Sequence, residues 1–117
     1  MSDSLVDIPL VHALYDTYAC WHQLALKFPK SQRYTLGRRC DDYMLSVLEL
    51  VLEAATAGEP KKKESAIVAA SAKLDTLKLL VRLSKDCKCI SHRHYQAMET
   101  RLYRIGRMTG GWLKSMR

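Results

Sequence analysis

Apolar side chains recur along almost the whole chain at intervals of three and then four residues. That rhythm constrains what the chain can fold into more than any other feature. The first segment places Val11, Leu14, Tyr18, Trp21, Ala25 and Phe28 in this register, and the second places Leu36, Cys40, Tyr43, Val47, Leu50 and Ala54. The third gives Ile67, Ala70, Leu74, Leu77, Val81 and Ser84, and the fourth Tyr95, Met98, Leu102, Ile105, Thr109, Trp112 and Met116. Such spacing draws one apolar stripe down an α-helix, and no segment shows the two-residue alternation of a half-buried strand. Punctuation falls between the stripes. Asp7 is expected to cap the first helix with Pro9 in its first turn, and Pro29 to end it. The AGEP string, Ala57–Pro60, parts the second helix from the third; KCIS, Lys88–Ser91, parts the third from the fourth, with Ser91 as N-cap. The expected helices run over about 8–27, 32–57, 61–87 and 91–115. Short connections make successive helices antiparallel neighbours, so the expected fold is all-α: one domain, residues 1–117, forming an antiparallel up-down-up-down four-helix bundle. With 117 residues, 48% of them hydrophobic, the chain can bury a core of its own.

One inward stripe per helix satisfies a single bundle, yet two helices carry more. Leu45, Leu48 and Leu52 form a second row on the second helix, about 100–160° around from Val47. Leu79 and Leu83 flank the third helix in the same way. These five leucines are read as an interface between copies of the chain, a homo-oligomer, rather than as a broad core stripe with a few exposed members.

Charge divides the chain in two. Residues 1–60 hold five Lys/Arg against eight Asp/Glu, and residues 61–117 hold fourteen against four, for a formal net charge of +7. A half this basic suits a polyanion, nucleic acid before an acidic protein or a membrane surface. On the fourth helix, with Arg93 at zero, Arg104 falls near 20°, Arg101 near 80°, Arg107 near −40° and Lys114 near −60°, while the apolar seam centres near about 150°. Lys78, Arg82 and Lys85 stack in the same manner on the third helix. Few acids interrupt either row: Glu99 lies off the stripe and Asp75 is close by. A solvated face would look similar on one helix; two matched rows favour phosphate binding, with arginine suited to bidentate contacts. Nothing in the rows reads bases, so binding is expected to follow backbone and shape and to fall steeply with salt. The run Lys61-Lys62-Lys63 reads as a mobile, solubilising loop.

The corner between the first two helices, FPKSQRYTLGRR (28–39), is dense in charge and rings. Phe28 and Tyr34 are expected to staple it, with Ser31 or Thr35 capping the next helix. Lys30, Arg33, Arg38 and Arg39 then remain for phosphate or an acidic partner, unless they pair with Asp41, Asp42 or Asp16.

CKCISHRH offers Cys87, Cys89, His92 and His94, ligand types that suit zinc. Its spacing forces four ligands from eight residues across a helix end and a helix start, unlike the separated knuckles of structural zinc sites. No metal and no cofactor is therefore expected. Asp41 and Asp42 diverge by about 100° on a helix, and no phosphate loop, HExxH motif or nucleophile elbow is present, so no enzyme is expected either. Gly106 is expected to serve close helix packing, and Gly110-Gly111 to mark a helix end or kink. The N-terminal MSDSLVDIPL lacks the marks of a signal peptide, no stretch reaches the roughly 18 apolar residues of a bilayer span, and four cysteines without a secretion signal suggest reduced thiols. A soluble, intracellular protein away from membranes is expected.

Three strings taken together, FPKSQRYTLGRR (28–39), LDTLKLLVRLSKD (74–86) and IGRMTGGWLKS (105–115), resemble the accessory variability determinant (Avd) family of diversity-generating retroelements. The similarity covers most of the chain, from about residue 10 to 116, and the Gly-Arg-Met-x-Gly-Gly-Trp string is its most family-specific piece. Four-helix-bundle proteins encoded within 23S ribosomal RNA intervening sequences are a broader relative sharing a Phe-Pro-Lys-Ser-Glu-like hinge. Here Gln32 stands where Glu is usual, and CKC replaces a more aliphatic turn. The resemblance implies a prokaryotic, cytoplasmic, non-catalytic protein that forms a pentameric ring with a positively charged, funnel-like surface. It implies as partners RNA or DNA and the reverse transcriptase of the same element, in support of error-prone copying of a template-repeat RNA (mutagenic retrohoming). In that picture Arg82, Lys85, Arg101, Arg104 and Arg107 serve the RNA and reverse-transcriptase surface, and the leucine flanks serve the ring. The alternative is a protein-binding scaffold of the intervening-sequence kind with no nucleic-acid role.

Overall fold

The computed structural model describes residues 5–117, so the first four residues of the expected domain and of the N-terminal stretch lie outside it. Four long helices follow one another: α1 (Pro9–Ala25), α2 (Arg38–Thr56), α3 (Pro60–Asp86) and α4 (His92–Met116). Among the described residues there is no strand. α1 packs on α2 and α4, and α3 packs on α2 and α4, which closes the up-down-up-down square. The molecule measures 43 × 27 × 22 Å, its long axis set by the 27 residues of α3, which alone span about 40 Å.

The seams bury as their spacing requires. All six positions expected on α3 are buried, with Ile67, Ala70 and Ser84 wholly inaccessible. On α4, Met98, Leu102, Ile105 and Thr109 are buried, centred near about 150° from Arg93 as expected. α2 differs. Its core stripe is Cys40, Met44, Val47, Val51 and Ala54, while Tyr43 and Leu50 are half-buried at its edge. The helix is thus rolled by about 40° from the expected face. That roll brings Leu48 to the rim of this chain's own core, where it packs half-buried.

The termini and corners correct several expectations. Asp7 does not cap α1: the capping position is Ile8, without a side-chain hydrogen bond, although Pro9 does occupy the first turn. At the first corner the chain does not leave helical geometry for a capped restart. One α-helical turn, Lys30–Gln32, runs into a π-helical turn, Arg33–Gly37, that merges with α2, and neither Ser31 nor Thr35 caps it. The Thr35 hydroxyl instead meets Gln32. Phe28 does anchor the corner, buried edge-on against Trp21 at 5.5 Å between ring centroids. Tyr34 does not: it is 73% exposed. Gly37 lies under Phe28, where a Cβ would stand 3.2 Å from the ring edge.

Lys61, Lys62 and Lys63 form the first turn of α3 rather than a loop. Lys63 Nζ donates to the Ala54 carbonyl at 2.7 Å and lies 5.8 Å from the centre of the Trp112 ring, tying the end of α2 to α4. α4 likewise continues unbroken past Gly110-Gly111 to Met116. The last corner behaves as expected: Ser91 caps α4, its hydroxyl accepting from the His94 amide at 3.1 Å.

Candidate nucleic-acid interface

The cations of α4 are set outward because the seam holds the opposite side of the helix. Arg93, Arg101, Arg104, Arg107 and Lys114 are all exposed. Among the described residues, none of them, nor Arg82 on α3, forms an ion pair with a carboxylate. Asp16, expected as a possible partner of the hinge cations, instead meets His12 at 3.1 Å, one turn away on α1, and lines a cavity of about 170 Å³ with Arg101 and Arg104. Asp41 accepts from the Tyr18 hydroxyl at 3.2 Å instead of meeting an arginine. Burial first, then Asp41, pushes the Tyr18 phenol up from its ordinary value.

The cations of α3 reach α4 through its aromatic rings. Lys78 Nζ lies 5.3 Å from the centre of the Tyr103 ring, and Lys85 Nζ 4.7 Å from that of Tyr95. Gly106 leaves room beside the first contact: a Cβ there would stand 3.0 Å from Lys78 Nζ and 3.6 Å from Leu74. Its expected role in close helix packing is thereby realised, with a lysine stem as the packed element. A ring face attracts an ammonium without cancelling its charge, so these lysines are held in place and stay positive. Lys85 also approaches Asp86 at 3.6 Å, which makes it less available than Arg82 beside it. Tyr95 donates to Glu99 at 2.9 Å, and burial followed by Glu99 raises its phenol despite the opposing charge of Arg82.

The hinge cations part ways. Arg38 and Arg39 are exposed, Arg39 lying 5.9 Å from the Tyr43 ring centre, which Lys73 also covers at 5.0 Å. Arg33 is not the spare cation expected: half-buried, it turns its Nη2 back onto the Leu26 carbonyl at 2.9 Å and the Phe28 carbonyl at 3.4 Å. Those carbonyls end α1 without helical partners, and a guanidinium is well suited to satisfy them. Of the expected basic set, Arg38, Arg39, Arg82, Arg93, Arg101, Arg104, Arg107 and Lys114 are exposed, whereas Arg33, Lys78 and Lys85 are half-buried.

The leucine rows are also sorted. Leu79 is 65% exposed, Leu83 46% and Leu45 38%, whereas Leu48 and Leu52 are half-buried against the core. Val68, unremarked in the sequence, joins Leu79 and Leu83 on the face of α3 opposite its seam, at 45% exposure. Cys87 is exposed while Cys89 turns inward, pushed up from its usual thiol value by burial; among the described residues no group of three or more metal-ligating side chains gathers. Likewise, no described helix is long and apolar enough to cross a membrane.

Sequence reasoning overlooked Tyr103. It stands about 130° from the α4 seam and within about 40° of Arg107, a position at which a ring contributes little to the core. That displacement was the available signal. Beside it, Gly110 and Gly111 have nothing within 4 Å of where a Cβ would stand. Each costs about 0.5–1 kcal/mol in a helix interior, with no packing inside this chain to explain it.

No curated protein matches the chain. The sequence does match the bAvd-like family over residues 10–116, and that family suggests an accessory role in diversity-generating retroelements. The long four-helix frame, the uninterrupted basic α4 and this match thus agree: the chain belongs to the bAvd-like family.

Proposed function

We propose that the protein is a non-catalytic accessory factor of a diversity-generating retroelement that binds RNA or DNA along α4 and associates with the element's reverse transcriptase in the cytoplasm, in support of mutagenic retrohoming. One observation carries the reading: the exposed guanidinium groups of Arg82, Arg93, Arg101, Arg104 and Arg107 have no carboxylate partner among the described residues. Guanidinium groups left unneutralised on adjacent helices offer bidentate contacts to phosphate at several points along one strand.

The decisive experiment is RNA binding by the full chain across a salt series. Affinity that falls steeply with salt, at a slope of about 0.7 per phosphate contact on a single strand, supports the reading, and absence of binding at low salt refutes it. Co-purification with the reverse transcriptase of the same element tests the second partner.

Assembly into a pentameric ring belongs to the same proposal. A ring needs two different patches that meet head to tail. The Leu45 flank of α2, beside Glu49 and Glu53, and the Val68–Leu79–Leu83 row of α3 are such a pair. Leu79→Glu is expected to lower the mass seen by light scattering to that of a monomer while helicity is kept; an unchanged mass removes that row from the interface. Leu48→Glu is a poorer test because Leu48 also packs against this chain's core.

A protein-only scaffold is favoured by one feature alone. The hinge groove of about 650 Å³ is lined by exposed Tyr34 and Leu83 together with Arg38 and Arg39. Salt-sensitive RNA binding would leave that groove as a secondary, protein-facing surface.

A further inference from the structure

We propose that Tyr103 is a stacking platform for an unpaired base, which makes single-stranded nucleic acid the ligand class of the α4 surface. The inference rests on the nucleic-acid reading above and specifies it. Tyr103 is 64% exposed and lies outside the core cluster, so its ring is not held there by burial. It sits one turn before Arg107, with Lys78 reaching across Gly106 to 5.3 Å from the ring centre. The ammonium covers one side, and the exposure leaves the other open to a planar group.

Two turns further along the same flank, Gly110 presents bare backbone, with nothing within 4 Å of a Cβ position. The surface beyond the ring is thus a ledge without side-chain walls, edged by Arg107 and Lys114. A base can lie on the ring while its sugar and phosphate run along the ledge toward those two cations. In a duplex the base faces are already stacked on one another, so only unpaired bases can use such a ring. Tyr95 provides an internal contrast. It also carries a lysine, but it is half-buried and its hydroxyl is held by Glu99, so its ring is not on offer.

The test compares the full chain and its Tyr103→Leu variant binding to oligothymidylate, to oligouridylate and to a duplex of the same length at one salt concentration. The wild type should prefer the single strands. Tyr103→Leu should weaken single-strand binding by about five- to a hundred-fold, with duplex affinity and the salt slope unchanged. Tyr103→Phe should bind as wild type, and Tyr103→Trp should show fluorescence quenching when a single strand is added. Single-strand affinity unaltered in Tyr103→Leu, or equal losses for single strand and duplex, would overturn stacking. If Arg101→Glu with Arg104→Glu abolishes binding in that same case, the phosphate surface stands and only the platform is lost. No binding by any form would remove both.

Discussion

The hinge and the outer face of α4 are comparably rich in cations, but the structure treats Arg33 at the hinge and the arginines of α4 in opposite ways, while Arg38 and Arg39 stay exposed. At the hinge, Arg33 is folded back onto the carbonyls of Leu26 and Phe28, and its Nε is buried without a partner. On α4, the arginines keep their donors in solvent, and the lysines that approach from α3 rest on ring faces. In the first region a cation finishes a helix. In the second it remains available to a ligand. The density of positive charge in a sequence therefore says less about an interface than what each donor meets. A donor meeting a carbonyl is occupied, whereas a cation over a ring keeps its charge while its position is fixed.

The largest effect that could break this contrast is charge reversal on each side. Arg101→Glu with Arg104→Glu should lower RNA affinity at least about a hundredfold at low salt, on the order of 3 kcal/mol, with the circular-dichroism spectrum unchanged. Arg38→Glu with Arg39→Glu should change it by only a few-fold. Equal losses in a filter-binding assay would show that the hinge and α4 form one interface.

Next comes pH, acting through a buried thiol at the hinge end. Cys40 is fully buried at the start of α2, its sulfur 3.7 Å from the Ser84 hydroxyl, which itself donates to the Leu80 carbonyl at 2.9 Å. Burial is the main cause that pushes this thiol up from 9.0 to about 11. The folded form thus holds the neutral thiol over a range where the unfolded chain ionises. Its stability is complete below about pH 9 and is lost as pH rises from about 9 to 11, amounting to on the order of 2–3 kcal/mol. Urea unfolding at a series of pH values should show this slope in the wild type and its reduction in Cys40→Ala. An unchanged slope in Cys40→Ala would place the titrating group elsewhere.

Arg33→Met should then cost about 1.5–2 kcal/mol of stability by leaving two helix-ending carbonyls without their charged donor. RNA affinity should be unaltered. A variant that unfolds at the same urea concentration but binds RNA more weakly would reverse the role assigned to Arg33.

How far the sequence revealed this arrangement varied with how many answers each segment permitted. On α3 the seam stands opposite the Val68, Leu79 and Leu83 row rather than merging with it, and every seam residue expected there is buried. α2 carries apolar side chains almost all the way round from Tyr43 to Leu52, so periodicity alone left its rotation open. Packing settled on Met44 and Val51, and released Tyr43 to seat Lys73 and Arg39. The outward α4 stripe followed directly from its seam, since fixing Met98, Leu102 and Ile105 fixes the opposite face as well. The hinge was harder. A π-helical turn has no simple residue code, and Arg33 differs from Arg38 only in which carbonyls lie within reach after folding. Tyr103 escaped notice because aromatic residues on a helix are usually core, and its use depends on Lys78 from another helix.

The corner between α3 and α4 shows a third fate for a cation, and gives the smallest of the expected effects. Lys88 has a φ of 62°, the left-handed region that favours glycine. Its amide donates to the Lys85 carbonyl at 2.9 Å, and the Cys89 amide to the Ser84 carbonyl at 2.8 Å, the paired bonds that close a Schellman turn. Cys89 then enters the core, which fixes the turn and obliges residue 88 to take the left-handed form. A side chain in that form costs roughly 1–2 kcal/mol, whereas glycine loses about 0.5–1 kcal/mol more than alanine in backbone entropy on folding. The strain relieved exceeds the entropy lost, so Lys88→Gly should gain about 0.5–1 kcal/mol, seen as a melting temperature a few degrees higher. Lys88→Ala keeps the Cβ and should gain nothing. RNA affinity should be the same in all three, because Lys88 lies at the turn and away from the α4 ledge. If alanine stabilised as much as glycine, charge rather than backbone strain would be the relevant property, and Lys88 would belong with the cations of α4.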